Sequence, residues 1–213
     1  MSAVNAELPQ VAQRDPTAWQ LARLPVNLDL LSAEMFCRQV AAAHYENFTV
    51  ATRLVPPDLR QDLANVYTFA RWSDDIADES EGDSTVALSA WRCGLDACFA
   101  GVPSHPVFVA LSKTVRRHSL SLDPFADLID AFMQDQTVTR YESREQLLEY
   151  CRRSADPVGR IVLGLANCKA SDEMRLSDSI CTGLQLVNFW QDVRRDYLGG
   201  RIYIPAEDMR RHG

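Results

Sequence analysis

From residue 28 onward, the hydrophobic and polar positions of the chain follow one helical segment after another. Runs that alternate polar and β-branched residues, which would predict strands, are nearly absent. The pattern therefore predicts an all-α fold in which helices pack around one centre. Residues 1–27 contain Pro9, Pro16 and Pro25 and are expected to form a loosely ordered lead-in, so that residues 28–213 make up one helical domain.

Capping residues and prolines predict the helix boundaries in the first half of the chain. Ser32 is a suitable N-cap for the first helix. Pro56-Pro57 is expected to start a second helix that runs to about Glu79, because proline suits the first turn of a helix. Two further helices are expected over residues 85–100 and 105–120.

The second half of the chain continues the helical pattern. Asp123 is expected to cap a fifth helix, and Ser143 with Gln146 resembles a capping box for a sixth. Asp156-Pro157 is expected to interrupt this helix, because proline removes a helix hydrogen bond. The last helical segments are predicted over 158–168 and 174–198, before the stop at Gly199-Gly200.

Composition excludes several classes of protein. The 213 residues are 46% hydrophobic and 24% charged, as expected of a globular domain with a sizeable core. The net charge of −7 argues against a nucleic-acid partner. Six cysteines without a C-x-x-C pair predict reduced thiols in a cytosolic protein.

No segment of the sequence predicts insertion into a membrane. The N-terminus lacks the basic and apolar regions of a signal peptide, and no apolar run approaches the ~20 residues of a membrane span. A cytoplasmic location is therefore expected. Peripheral contact with the inner face of a membrane stays open, because an apolar surface patch would suffice for it. The sequence also leaves the oligomeric state open.

A polar stripe runs along one side of the last long predicted helix, within an arc of roughly 80°. Apolar residues cover much of the remaining helix surface, which predicts that this helix is buried. Buried carboxylates need a partner, a hydrogen bond or a metal ion. The stripe consists of Gln185, Asn188, Asp192 and Asp196.

A second stripe occurs on the helix that ends near Glu79. Tyr67, Arg71, Asp74 and Asp78 fall within an arc of roughly 60°. A single pair of aspartates four residues apart is usually a solvated face, and here it would also form surface salt bridges with Arg71. Two such pairs in similar contexts favour metal binding instead, because neighbouring carboxylates repel one another unless a cation lies between them.

The ligand types indicate which metal to expect. Carboxylate and amide oxygens suit hard cations, and Mg²⁺ typically takes one or two carboxylates, several waters and substrate phosphates. Two aspartate pairs across a cavity would therefore hold a diphosphate through Mg²⁺, with arginine adding charge-assisted hydrogen bonds. The four histidines lack the spacing of a zinc site, and the sequence contains no P-loop motif.

These motifs resemble the two aspartate-rich motifs of the squalene and phytoene synthase family. The matching segments are DDIAD at 74–78, QLVNFWQDVRRD at 185–196, GGRIYIP at 199–205, YTFARWSDD at 67–75 and YCRRSADPVGRIVL at 150–163. The resemblance spans about residues 36–209. It implies a class I isoprenoid synthase-like helical bundle around a central cavity. Family members continue for several helices beyond the position of Gly213, so we expect the bundle to be incomplete at its C-terminus.

Within the family, HYENF at 44–48, ARWSDDIADE and SADPVGR are most similar to the hydroxysqualene synthase branch of bacterial hopanoid biosynthesis. That branch converts presqualene diphosphate and water to hydroxysqualene, without NADPH. Phytoene and squalene synthases commonly have serines near His44, where this chain has Tyr45 and Asn47. Two alternatives stay open: condensation of two farnesyl diphosphates to presqualene diphosphate or squalene, and a non-catalytic scaffold of the same fold.

The resemblance also implies a role for individual residues. Asp74, Asp78, Asp192 and Asp196 would hold Mg²⁺ on the diphosphate, assisted by Arg71, Asn188 and Arg195. Val158, Gly159 and Gln185 are further expected contacts of the substrate. Tyr67 and Phe48 either stabilise a cationic intermediate through their rings or belong to the core. His44 either contacts the diphosphate or satisfies a helix terminus.

Overall fold

The computed structural model describes residues 29–43, 55–79 and 83–212. These residues form ten α-helices and a short 3₁₀ helix, and they contain no β-strand. The predicted all-α fold is confirmed. The lead-in predicted for residues 1–27 lies outside the described residues.

The helices follow one another with short connections. The 3₁₀ helix spans Pro57–Leu59. In chain order the α-helices are α1 (Leu30–Ala43), α2 (Arg60–Glu79), α3 (Ser84–Phe99), α4 (Pro106–His118), α5 (Asp123–Asp135), α6 (Arg144–Ser154), α7 (Asp156–Leu165), α8 (Ser171–Gln191), α9 (Val193–Leu198) and α10 (Ala206–His212).

Several predicted boundaries are confirmed by their capping contacts. Ser143 accepts a hydrogen bond from the Gln146 backbone N–H at 3.3 Å. The Gln146 side chain accepts in return from the Glu142 N–H at 2.9 Å, one residue earlier than in a standard capping box. Asp156-Pro157 does separate α6 from α7, and the last long segment ends near Gly200, whose φ is 84°.

Three boundary predictions are wrong. Asp29, not Ser32, caps α1, because its carboxylate accepts from the Ser32 N–H at 2.9 Å. Asp123 is the first residue of α5 rather than its cap, and the preceding Leu122 makes no side-chain capping bond. The helix predicted over 174–198 is divided at Asp192, where the backbone leaves helical geometry with φ −97° and ψ 6°.

The core lies where α2 meets α3, α4 and α5. Phe69 on α2 is fully buried and packs edge-on against Phe125 at a ring distance of 5.4 Å. Trp91 on α3 contacts Phe108 on α4 at 4.2 Å. The Trp91 indole N–H donates to Ser73 Oγ at 2.9 Å, so the buried indole nitrogen is satisfied. This aromatic core fixes the position and rotation of α2.

Helix α8 is much more exposed than its sequence predicted. It packs against α6 and α7, and Phe189 is its one fully buried residue. A row of large apolar side chains faces solvent, including Leu176, Ile180, Leu184 and Trp190. The prediction of a buried helix is therefore wrong for the part of the chain that the structure describes, because few elements cover α8 there. Within that part, no helix combines the length and the apolar character that crossing a bilayer requires.

Candidate active site

A cavity of about 300 Å³ lies between α2, α5, α6 and α8, and the segment after α9 closes one side of it. The cavity agrees with the expected bundle around a central space. Its lining residues are Asp74, Ala77, Asp78, Leu128, Ala131, Phe132, Asp135, Tyr150, Ser154, Gln185, Phe189, Arg201 and Tyr203.

Helix α2 brings two carboxylates to the cavity, with an arginine beside them. Arg71 forms ion pairs with Asp75 at 2.5 Å and with Asp74 at 3.3 Å. Asp75 is buried, whereas the Asp74 side chain is 40% exposed. Asp74 and Asp78 therefore face the cavity from one helix face, while Arg71 partly balances the charge around them.

A third carboxylate enters the cavity from α5. Asp135 Oδ2 accepts a hydrogen bond from the Tyr150 hydroxyl at 2.6 Å. Oδ1 is buried and has no hydrogen-bond partner. Burial raises the pKa of Asp135 to about 6, and the nearby charges of Asp78 and Asp74 act in the same direction.

Arg201 brings positive charge to the same cavity. Its backbone N–H donates to the Asp196 carbonyl at 2.8 Å, and the adjacent Ile202 N–H donates to the Thr139 carbonyl at 2.8 Å. These bonds hold the segment after α9 alongside the residues before α6. Burial raises the pKa of both Asp135 and Asp196, and the guanidinium of Arg201 opposes that rise in each, so its charge acts on both carboxyl groups.

One wall of the cavity is aromatic. Phe189 and Tyr203 stack with a ring distance of 4.0 Å and an angle of 8° between their planes. Tyr150 and Tyr141 extend this stack at ring distances of 6.0 and 5.9 Å from Tyr203. The aromatic faces provide an apolar surface that also attracts positive charge.

The position of the α2 acidic pair at a cavity enclosed by helices agrees with the comparisons with known proteins. The profile of the squalene/phytoene synthase family matches residues 41–213, which is most of the chain. The chain belongs to the squalene/phytoene synthase family. The family predicted from the motifs is thereby confirmed.

Individual family members show the same relationship. The chain is 38% identical over 170 residues to the hydroxysqualene synthase of Zymomonas mobilis, covering 77% of this chain and 56% of that protein. It is 30% identical over 220 residues to phytoene synthase 3 of Zea mays, covering 100% of this chain and 50% of that protein. The chain spans about half the length of these curated relatives.

A solved structure confirms the isoprenoid synthase-like fold. The crystal structure of the squalene synthase HpnC from Alicyclobacillus acidocaldarius superimposes with a TM-score of 0.84. The two sequences are 42% identical, and the match covers 92% of this chain and 73% of that one.

The predicted site residues of this squalene/phytoene synthase family member do not all reach the cavity. Asp74, Asp78 and Gln185 line it. Tyr67 lies one turn before Arg71 on α2 and is half-buried, and burial raises the pKa of its hydroxyl. His44 and Phe48 lie outside the described residues.

The second acidic motif is more open than the first. Asn188 and Asp192 are exposed, and neither belongs to the described residues that line the cavity. Asp196 is half-buried, and its pKa is raised by burial and by the neighbouring charge of Asp192. The Asp196 N–H still donates to the Asp192 carbonyl at 2.9 Å, so the two aspartates keep their one-turn spacing across the helix break.

The remaining predicted substrate contacts lie away from the cavity lining. Arg195 is exposed on α9, and Val158 is exposed on α7. Gly159 is buried and faces α8, where Cys181 Sγ would lie 2.7 Å from an added Cβ. Its small size therefore lets α7 and α8 approach closely. No contact in the described part of the chain assigns these three residues to a ligand.

Several residues of the cavity were absent from the predicted site, and they include Asp135, Tyr150, Arg201 and Tyr203. Tyr150, Arg201 and Tyr203 occur within segments that carried the family resemblance, YCRRSADPVGRIVL and GGRIYIP. Asp135 gave no such signal, because a single aspartate near a helix end is an ordinary surface residue in most proteins. The position of Asp135 beside Tyr150 is visible only in the structure, where α5 packs against α6.

The donor set fits Mg²⁺ shared with a diphosphate better than a metal held by protein alone. No group of three or more His, Cys, Asp or Glu side chains in the described ranges lies close enough to hold one ion. Mg²⁺ commonly keeps several waters and takes only one or two carboxylates beside substrate phosphates. Asp74 and Asp78 provide such a pair at the cavity, so the residues present fit this ion.

Proposed function

We propose that this protein converts presqualene diphosphate and water to hydroxysqualene with release of diphosphate, in a reaction that depends on Mg²⁺. The observation that carries the proposal is the position of Asp74 and Asp78 at a cavity whose other wall is the aromatic stack. The acidic side suits a diphosphate held through Mg²⁺, and the aromatic side suits an apolar cation.

Residues of both acidic motifs would bind the diphosphate. Asp74 and Asp78 on α2, and Asp192 and Asp196 beyond α8, would hold Mg²⁺, with Asn188 as a further oxygen ligand. When bound, Mg²⁺ would stabilise the negative charge that develops on the departing diphosphate. Arg201 lines the cavity, its charge acts on both Asp78 and Asp196, and it would add a cationic contact to the same group.

The apolar part of the cavity would receive the reacting carbon skeleton. Leu128, Ala131 and Phe132 form one side, and Phe189 with Tyr203 forms the aromatic side. A carbocation formed there would lie against ring faces rather than bulk water, which lowers its free energy and limits its capture by solvent.

Sequence similarity supports this reaction over phytoene synthesis. The hydroxysqualene synthase of Zymomonas mobilis is more similar in sequence than the maize phytoene synthase, at 38% against 30% identity. A second candidate is condensation of two farnesyl diphosphates, favoured by the HpnC structure, which is described as a squalene synthase. Both reactions require release of diphosphate, and NADPH dependence would distinguish a squalene-forming enzyme. We expect no requirement for NADPH.

Product analysis provides the test. The purified protein is incubated with presqualene diphosphate and Mg²⁺ in the absence of NADPH, and the organic extract is analysed by mass spectrometry. We expect hydroxysqualene, and we expect Asp74→Asn and Asp192→Asn each to lower its rate of formation by about 100-fold, because each removes a carboxylate that would hold the Mg²⁺ stabilising the leaving group.

Asp172→Asn is the matched control, because Asp172 is an exposed aspartate in the first turn of α8 that pairs only with Arg175 among the described contacts. Its rate should remain close to that of the wild type. Product from farnesyl diphosphate but not from presqualene diphosphate would favour the condensation reaction. Unchanged rates in both Asp74→Asn and Asp192→Asn would contradict the Mg²⁺ sites.

A further inference from the structure

Asp135 lines the cavity, but the proposed binding of the diphosphate gives it no role. It ends α5, and its Oδ2 accepts the Tyr150 hydroxyl at 2.6 Å. Its Oδ1 is buried, has no hydrogen-bond partner and belongs to a residue that lines the cavity. Burying a carboxylate oxygen without a hydrogen-bond donor costs free energy. We therefore expect a ligand in the cavity to donate a hydrogen bond to Oδ1.

This carboxylate is separate from the proposed metal pairs. Asp135 forms no group of three acidic side chains with Asp74 and Asp78 that could share one ion, as far as the described residues go. It also comes from a different helix and is held in place by Tyr150. Of the described residues that line the cavity, Asp135 is the one carboxylate outside the proposed Mg²⁺ sites.

The surroundings of Asp135 favour the uptake of a proton. Burial and the charges of Asp78 and Asp74 on α2 raise its pKa to about 6, against the opposing effects of Tyr150 and Arg201. The titratable or charged groups that act on it lie on α2, on and before α6, and after α9. They are Asp74 and Asp78 on α2, Tyr141 before α6, Tyr150 on α6, and Arg201 and Tyr203 after α9.

We propose that Asp135 is the base that accepts the proton of the water that captures the carbocation. This inference rests on the proposed function. The bond from carbon to the diphosphate oxygen breaks first, and its electron pair leaves with the diphosphate. The oxygen of a water molecule on Oδ1 then forms a bond to the cationic carbon, and one of its O–H bonds breaks. The proton passes to the Asp135 carboxylate, the electron pair stays on oxygen, and the neutral alcohol results.

The other groups of the cavity are less suited to this step. Tyr150, Tyr141 and Tyr203 are neutral donors, because burial raises the pKa of each hydroxyl far above neutral pH. Arg201 is a permanent cation that cannot accept a proton. Ser154 is neutral as well, so Asp135 combines charge, burial and access to the cavity.

The test separates ionisation of the substrate from capture by water. Wild-type protein and Asp135→Asn are incubated with presqualene diphosphate and Mg²⁺ in H₂¹⁸O, and released diphosphate is measured alongside the ¹⁸O-labelled alcohol. We expect Asp135→Asn to release diphosphate at a rate similar to the wild type. The alcohol should fall by about tenfold or more as a fraction of the released diphosphate, with hydrocarbons from proton loss taking its place.

Asp130→Asn is the matched control on the same helix, because Asp130 is an exposed residue that pairs with Arg92 at 3.1 Å. Its alcohol fraction should equal that of the wild type. An unchanged alcohol fraction in Asp135→Asn would overturn the inference. So would loss of diphosphate release in a folded Asp135→Asn variant, because that result would place the carboxylate in the ionisation step.

A second measurement needs no variant. The alcohol fraction of the wild-type protein should fall as the pH is lowered from about 8 to about 5, because a protonated carboxyl accepts no further proton. A constant fraction over that range would contradict the inference. Failure of the proposed function is distinguishable from both results, since wild-type protein would then make no labelled alcohol at any pH.

Discussion

The two acidic motifs, Asp74 with Asp78 and Asp192 with Asp196, differ in how firmly the fold holds them. Asp74 and Asp78 lie on α2, whose opposite face carries the fully buried Phe69. Asp192 lies at a break between α8 and α9, and α9 is only six residues long. The first motif is therefore fixed by the aromatic core, whereas the second depends on a helix with one packed side.

This difference indicates how the site would respond to a ligand. Segments with few buried apolar contacts open at a lower free energy than segments in the core. We therefore expect Mg²⁺ and diphosphate to order α8 and α9 more than they order α2. We expect the α2 half of the proposed site to be preorganised and the other half to be completed on binding.

The largest expected difference is between the stability lost on truncating a buried side chain of α2 and that lost on truncating an exposed side chain of α8. Phe69 is fully buried, while Leu184 on α8 is 61% exposed. Phe69→Ala should lower the free energy of unfolding by about 3 to 5 kcal/mol, because it leaves a cavity in the core. Leu184→Ala should change it by no more than about 0.5 kcal/mol. Urea denaturation followed by far-UV circular dichroism measures both.

Of the two variants, Leu184→Ala is the one that tests whether the apolar row on α8 is exposed in solution. A loss above about 1 kcal/mol in Leu184→Ala would mean that the apolar row on α8 is covered in solution, and the two regions would then be equally well packed. A small effect of Phe69→Ala would contradict the central position of α2 in the core.

A smaller effect is expected where α8 meets α7. A Cβ at Gly159 would overlap Ser177 Oγ and lie 2.7 Å from Cys181 Sγ. Gly159→Ala should therefore destabilise the protein by about 1 to 3 kcal/mol, because the Ser177 and Cys181 side chains must turn away or the two helices must move apart. Thermal unfolding measures this loss.

Gly183→Ala is the control on α8, since nothing lies within 4 Å of a Cβ at that position. It should stabilise the protein by about 0.5 to 1 kcal/mol, because alanine favours the helix over glycine. Equal effects of the two variants would show that the close approach at Gly159 is not what positions α8.

The same contrast explains which features the sequence could predict. The α2 motif was predicted because Arg71, Asp74 and Asp78 share a helix face, and helix periodicity is visible in a sequence. The exposure of Trp190 and Leu184 was not predicted, because an apolar residue does not show what covers it. The break at Asp192 was missed since residues on both sides remain helical.

The unpredicted part of the site depends on contacts between distant segments. Asp135 and Tyr150 are fifteen residues apart and meet only because α5 and α6 pack together. Arg201 reaches the cavity because the backbone of Ile202 bonds to Thr139, far earlier in the chain. Neither contact has a local signal, so motif spacing could give the acidic residues but not the groups that surround them.

The smallest expected effect is a pH-dependent change in the free energy of unfolding, which should differ between the two regions. Burial raises the pKa of Asp135 to about 6, from an ordinary value of 3.8. The folded protein therefore binds this proton more tightly than the unfolded chain. Stability contributed by Asp135 is full below about pH 4 and is lost as the pH rises through about 6. Asp135→Asn removes this loss and should be more stable than the wild type at neutral pH, by on the order of 1 kcal/mol after allowance for partial solvent contact.

Asp196→Asn supplies the comparison, because Asp196 also has a pKa raised first by burial but lies in the more open region. Urea denaturation at a series of pH values, with EDTA to remove metal ions, should show a smaller change for this variant. The gain in Asp135→Asn should shrink as the pH falls toward about 4, where the wild-type carboxyl is protonated in both states. If the stability gain of Asp135→Asn does not change with pH, the gain comes from packing rather than from the charge of the carboxylate. A larger gain in Asp196→Asn would mean that the second motif is the more buried one, and would reverse the contrast between the two halves of the site.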